Sequence, residues 1–452
     1  MKENFLLKTE TGKELYGYVK DLPVIDYHDH LSLDEILSDK RYSDIYELWI
    51  KPDPYKHRAM RMLGVEEKFI TGESSNEEKF VKWCESLPKL VMHPLAHWSA
   101  MELALFGVEE FPNANNAKCL YKRLNDYLAQ NVVTAKSLLK SFNVELACPC
   151  LSIVGDDKVF GKDKSIIPSL RLDDVLSPSS QFVEKLESSA QTEINSVETF
   201  FAAVDKRLED FKAIGAVFCD VALDDGFVYF SDDGKNGERF KSLLSGKSGG
   251  EERKKLSSYI LLKLASLFAE KGFIMQLHIG AKRDTSDRLR RIAGANGGFA
   301  GIGGTVDVRS LAGFLNEVEK GKFGLPKIVL FTLNPSDNAV MSTLSGSYVK
   351  DGERGLVTQG PAWWWCDHKD GIEEVLESVS NYGALYNFIG MTTDSRSFLS
   401  FVRHDYFRRI LCQWLGQKWE QGEIFCDKSG LFDLANKMCY GSVKECLTKR
   451  RR

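Results

Sequence analysis

Asp26-Tyr27-His28-Asp29-His30 closes a short apolar run and is the segment best equipped for chemistry. Residues two apart on an extended chain point the same way, so His28 and His30 can aim two imidazoles at one ion. Two imidazoles alone hold a divalent cation poorly, and a carboxylate must come from elsewhere. Asp394, in Met391-Thr392-Thr393-Asp394-Ser395-Arg396, directly follows the last apolar run. It also stands where a helix beginning near Ser397 needs a cap, and the two roles can coexist. Arg171, Arg283 and Arg396 each follow an apolar run. A guanidinium fork matches carboxylate geometry, so three arginines on one rim predict an anionic substrate, although any one alone reads as a surface ion pair.

Other residues are read more conservatively. Trp363-Trp364-Trp365 cannot all face one way, so one packs in a wall while another can offer an indole N–H to a pocket. Tyr55 lies just ahead of a helix expected over Arg58 to Leu63, and can supply a phenolic proton donor or serve as an interfacial aromatic. Cys148 and Cys150, in Cys-Pro-Cys, face one side of an extended segment; two thiols cannot close a tetrahedral site, and buried thiols are the plainer reading. Residues 294–304 are glycine-rich enough for a mobile active-site loop.

These residues need elements to position them. Eight short apolar runs alternate with segments of helical period, the pattern of repeated βα units on a parallel sheet. They are Leu22–Asp26, Val144–Ala147, Ile166–Leu170, Gly215–Cys219, Phe273–Leu277, Ile328–Leu333, Gly355–Thr358 and Tyr386–Met391. Helices are expected over Val197–Ile214, Glu251–Lys271, Val308–Lys320, Gly371–Tyr382 and Ser397–Gln421. The pattern predicts an α/β fold, a (β/α)8 TIM-type barrel with a helical insertion after the first strand; an open doubly wound sheet is the alternative. The expected division is 1–30 with the first strand, 31–142 as the inserted helical subdomain, 143–425 as the remaining barrel, and 426–452 as a C-terminal helix and basic tail. Residues 221–250 read as a long polar loop.

Lys and Arg total 60 against 64 Asp and Glu, a net charge of -4, so no basic face for nucleic acid is implied. The single basic run, Lys449 to Arg452, reads as a solvated tail. The segment opening at Met1 carries an acidic residue before any apolar run, and no stretch approaches the roughly 18 apolar residues that span a bilayer. Ten cysteines without framework spacing suit a reducing compartment, so a cytoplasmic protein is expected.

Several stretches in collinear order resemble uronate isomerase, of the amidohydrolase superfamily. They include Asp26-Tyr27-His28-Asp29-His30-Leu31-Ser32, Tyr55-Lys56-His57-Arg58-Ala59-Met60-Arg61, Gln276-Leu277-His278-Ile279-Gly280-Ala281-Lys282-Arg283-Asp284, Trp363-Trp364 and Gly390-Met391-Thr392-Thr393-Asp394-Ser395-Arg396-Ser397. The resemblance implies a metal site of His28, His30 and Asp394, with zinc the usual occupant. It implies that Arg171, Arg283 and Arg396 hold a hexuronate, with Tyr55, His278 and Trp364 lining the pocket. It further implies interconversion of D-glucuronate with D-fructuronate and of D-galacturonate with D-tagaturonate, a role in glucuronate catabolism, and a homo-oligomer. Family members commonly carry histidine at the positions of Pro54 and Val221 here.

That activity moves a carbonyl from C1 to C2 through an enediol, which needs a base for the C2 proton, stabilisation of the enediol and an acid for C1. Asp394, or a water held by the ion, serves as base, Tyr55 as proton shuttle, and Arg396 completes the catalytic group. A metal-dependent hydrolase on the same barrel would add histidines at the fifth and sixth strands, whereas only His278 stands at such an end. A uronate-binding homologue without turnover is the third reading, prompted by Pro54 and Val221.

Overall fold

The computed structural model describes residues 4–161 and 163–450; Met1–Glu3 and Arg451–Arg452 of the expected terminal segments lie outside the described residues. Runs rich in Val, Ile, Leu and Phe, buried on both faces, form seven parallel strands. They are β1 (Val24–Asp29), β2 (Val144–Ser152), β3 (Ser169–Arg171), β4 (Phe218–Leu223), β5 (Ile274–Ile279), β6 (Lys327–Thr332) and β7 (Val357–Gln359). Their spatial order follows chain order without a reversal, so the sheet curls. A doubly wound sheet, whose order reverses at a switch point, is excluded.

The eighth expected strand, Tyr386–Met391, is not one. Leu385–Asn387 forms a 3-10 turn, and Gly390 takes φ 99, whose left-handed backbone interrupts a pleated ladder. The chain nevertheless runs beside the free edge of β1: the Asp394 N–H donates to the His28 carbonyl at 3.0 Å and the His30 N–H to the Ser395 carbonyl at 2.8 Å.

Inside the curl, Ile25, Tyr27, Leu146, Cys148, Phe218, Val329 and Phe331 pack together with Val443 and Leu447 of the last helix. Outside, Val221, Leu277 and Leu330 meet the helices Val197–Ala213, Gly250–Lys271 and Val308–Glu319. Between β1 and β2 lie seven α-helices, among them Pro54–Met62 and Pro94–Ala104. Residues 221–250 are not loop throughout, because Asn236–Leu244 is helical. Its polar composition hides one short stripe, Phe240 and Leu243, and a buried Arg239 paired with Asp233 and Glu252. The helix expected from Ser397 is a 3-10 turn, Phe398–Phe401, followed by Val402–Glu420.

Candidate active site

β1 ends in the two histidines. His28 is buried and His30 half-buried, and both Nε2 atoms reach Asp394 Oδ1, at 3.4 and 3.1 Å. Asp394 is therefore not a helix cap; the turn at Ser397 has no side-chain cap. Asp394 sits at φ 49, an uncommon conformation for any residue but glycine that swings its carboxylate towards β1. The turn is fastened from behind. Asp26 accepts hydrogen bonds from the Thr392 hydroxyl, the Thr393 N–H at 3.1 Å and His404 Nε2 at 3.4 Å.

Burial alone would raise the Asp394 carboxyl, but hydrogen bonds from the two imidazoles outweigh it and hold the group well below the usual carboxylate range. Burial carries His30 down to about 4, so its imidazole is neutral. For His28 burial works downward too, yet the Asp220 and Asp394 carboxylates prevail and raise it.

The donor set fits a divalent ion. Tetrahedral ligands about 2.0–2.1 Å from a metal stand about 3.3–3.4 Å apart, close to the separations of both imidazoles from Asp394. Two imidazoles and one carboxylate can hold zinc or a similar cation. Among the described residues, two groups of donor atoms lie within 4.8 Å of one another: His28 with His30 and Cys150, and His28 with Asp220 and His278.

Asp220, fully buried in β4, was not singled out by the sequence reading. It faces His28 Nδ1 at 3.8 Å, His278 Nδ1 at 3.7 Å and Arg171 at 3.7 Å, and burial lifts its carboxyl to about 6. The signal was present: an acid inside an otherwise apolar strand, Phe-Cys-Asp-Val-Ala-Leu, is costly unless it has work to do. Cys150 was likewise passed over as a buried thiol; it is half-buried, with Sγ 3.5 Å from His28.

Above the donors opens a cavity of about 440 Å³. Arg171, Arg283 and Arg396 line it, with Tyr55, Trp364 and Trp365. Arg171 is engaged by Asp173 at 2.7 Å and Arg283 by Asp224 at 2.9 Å, whereas Arg396 has no ion pair among the described residues. Tyr55 lies within the helix Pro54–Met62 rather than ahead of it, because Asp53 caps that helix, accepting from the Tyr55 N–H at 2.9 Å, with Pro54 in the first turn. Burial pushes the Tyr55 phenol well above its ordinary value, so it keeps its proton. His278 is not on the cavity wall; it is buried between His28 and Trp363, on which it stacks at 4.7 Å. Val221 faces the apolar layer beneath the helices, so that position contributes nothing to the pocket. Arg403, held by Asp367 at 2.9 Å, joins the cavity wall from a helix that sequence periodicity marked only as amphipathic.

The glycine-rich loop covers one side of the cavity through Ala295, Asn296, Gly298 and Ala300. It is docked on the insertion. Arg58 Nη1 donates to the Gly298 and Ala300 carbonyls, each at 3.1 Å, and Arg61 reaches the Gly297 carbonyl.

A curled parallel sheet with paired histidines on its first strand, and an aspartate beyond the last turn, defines an enzyme of the amidohydrolase superfamily. The glucuronate isomerase family matches residues 1–447. A uronate isomerase from Caldanaerobacter subterraneus subsp. tengcongensis is 36% identical, with 98% of each chain covered. One from Bacillus subtilis strain 168 is also 36% identical, over 98% of this chain and 97% of that one. The crystal structure of uronate isomerase from Thermotoga maritima superposes with a TM-score of 0.92 at 29% identity, covering 99% of both chains. The chain belongs to the glucuronate isomerase family.

Proposed function

We propose that this enzyme interconverts D-glucuronate with D-fructuronate, and D-galacturonate with D-tagaturonate, by proton transfer through an enediol. The observation that carries the reading is the meeting of His28 and His30 at Asp394, beneath a cavity lined by three arginines. A hydrolase or a turnover-free binding protein is not favoured by membership of an isomerase family.

The residues divide the work by their chemistry. Arg396, with no carboxylate partner among the described residues, takes the uronate carboxylate, assisted by Arg171 and Arg283. Trp364 packs against the sugar chain, with Arg283 5.3 Å over its ring. Asp394 stays ionised and can accept the C2 proton. Tyr55 stays protonated and can give a proton to C1 or its oxygen. His278 supports this group by fixing the His28 ring. His28, His30 and Asp394 would hold a divalent ion such as zinc, which would supply a Lewis acid for the migrating oxygen.

We further propose that residues 388–395 stand in for the eighth strand and close the barrel against β1. On this view 31–142 form an inserted helical subdomain, 143–425 the remaining barrel, and the described residues from 426 to 450 a C-terminal helical segment. The active form is a cytoplasmic homo-oligomer that takes a small hexuronate and no nucleic acid. No helix among the described residues is long and apolar enough to cross a membrane.

The test is turnover of D-glucuronate and D-galacturonate by the purified chain, read as ketose formed before and after chelation. Asp394→Asn should fall by about 10²- to 10⁴-fold, the usual worth of a positioned acid-base group. Full turnover by that variant would remove Asp394 from the mechanism, and absence of any ketose from the intact enzyme would remove the function.

A further inference from the structure

Asp394 keeps a left-handed backbone, φ 49, which a residue with a Cβ holds only where its surroundings enforce it. φ measures the rotation of Asp394 relative to the peptide before it, so that peptide is the reference from which the carboxylate is aimed. Its N–H donates to the His28 carbonyl of β1 at 3.0 Å. Its carbonyl, on Thr393, accepts from Arg403 Nη2. β1 therefore holds one end of the peptide, and a guanidinium from the helix Val402–Glu420 holds the other.

The same guanidinium reaches the aromatic wall. Arg403 Nη1 donates to Asp367 Oδ2 at 2.9 Å, and both residues are buried. Asp367 directly follows the turn Trp364–Cys366, whose two tryptophans line the cavity, and Tyr55 packs edge-on against Trp365 at 5.1 Å. Arg403 also borders the cavity, yet each Nη is taken up by a protein acceptor, and its Nε is buried with no partner among the described residues. Burying such a pair adds little net stability, because desolvation offsets most of the attraction. What it supplies is a fork of fixed geometry that spans two acceptors.

We propose that Arg403 is a positioning residue for the isomerisation, aiming Asp394 at the C2 proton through the Thr393 carbonyl and setting it, through Asp367, against the wall that seats Tyr55. The inference rests on the reading of Asp394 as base and Tyr55 as acid, and deepens it.

Turnover of D-glucuronate, protiated or deuterated at C2, by the metal-loaded full chain tests it. Arg403→Lys keeps the charge and lacks the fork. We expect kcat to fall about 10²-fold, KM to stay within about threefold and the isotope effect on kcat to rise, with metal retained. Asp367→Asn, of equal size, should lower kcat about tenfold in the same pattern, and the double variant should lose less than the product of the two. An unchanged kcat overturns the positioning role, and a raised KM beside it would make Arg403 a substrate ligand instead. A fall in kcat that matches the fraction of unfolded or metal-free protein overturns it too. Should Arg403→Lys fail to fold, Asp367→Asn decides by the same readings. No ketose from the unaltered enzyme overturns the function itself and this inference with it.

Discussion

His57 shows how a single side chain can tie stability to pH. Its Nε2 is buried without a hydrogen-bond partner among the described residues, and burial carries the imidazole down to about 4. Between that value and the ordinary 6.5 the unfolded chain binds a proton that the folded one refuses. The stability is present in full above about pH 6.5 and is lost as pH falls towards 4. Urea midpoints for His57→Gln should therefore fall less steeply between pH 6.5 and 4, by up to about 1.4 kcal/mol per pH unit. Parallel curves for the two proteins would show that His57 titrates normally. For His28 and His30, spacing predicted two imidazoles aimed at one ion; in the structure both Nε2 atoms lie beside Asp394 Oδ1, at 3.4 and 3.1 Å.

At the scale of elements, the site depends on how the helix Pro54–Met62 meets the glycine-rich loop. The helix is anchored from below by Lys56, fully buried, whose Nζ meets Glu102 at 2.9 Å and the Trp49 carbonyl at 2.7 Å. Removing one partner of such a pair leaves a buried charge, so Glu102→Ala should cost about 3–5 kcal/mol in chemical denaturation. A loss below about 1 kcal/mol would mean that the pair is solvated in solution. On the loop side, Gly298 has φ 80, and an added Cβ would sit 2.3 Å from the Pro54 carbonyl oxygen. Gly298→Ala must then lift the loop from the helix. We expect KM for the uronate to rise about tenfold or more with little change in melting temperature, and an unchanged KM would show that the loop does not need this seat. Glycine richness announced an unusual backbone there, but it could not distinguish a mobile loop from a docked one. The arginines that dock it, Arg58 and Arg61, lie far away in sequence.

Across the whole molecule, the first strand and the last turn must meet for the site to exist, and Asp26 joins them. Asp26→Ala would orphan the Thr393 N–H and His404 within the core and leave the Thr392 hydroxyl only its contacts with the His28 backbone. We expect a loss of about 3–5 kcal/mol, faster amide exchange at His30 and Asp394, and weaker metal retention. Protection of those amides equal to that of the unaltered protein would show that other contacts hold the seam. Much of this architecture was legible beforehand. Apolar runs of strand length marked where seven strands lie, because burial on both faces demands such runs, and their ends carried the histidines and arginines. Tertiary structure decided what composition could not encode. The eighth run is no strand: Gly390 takes a left-handed backbone, where an added Cβ would meet the Met438 carbonyl oxygen at 2.8 Å, and the chain pairs with β1 beyond the run, at Asp394 and Ser395. Val221 and Asp220 are neighbours in sequence, yet alternation along β4 sends one into the helix layer and the other towards His28. Which face becomes the interior depends on how the sheet curls, and that is fixed only when all its strands pack together.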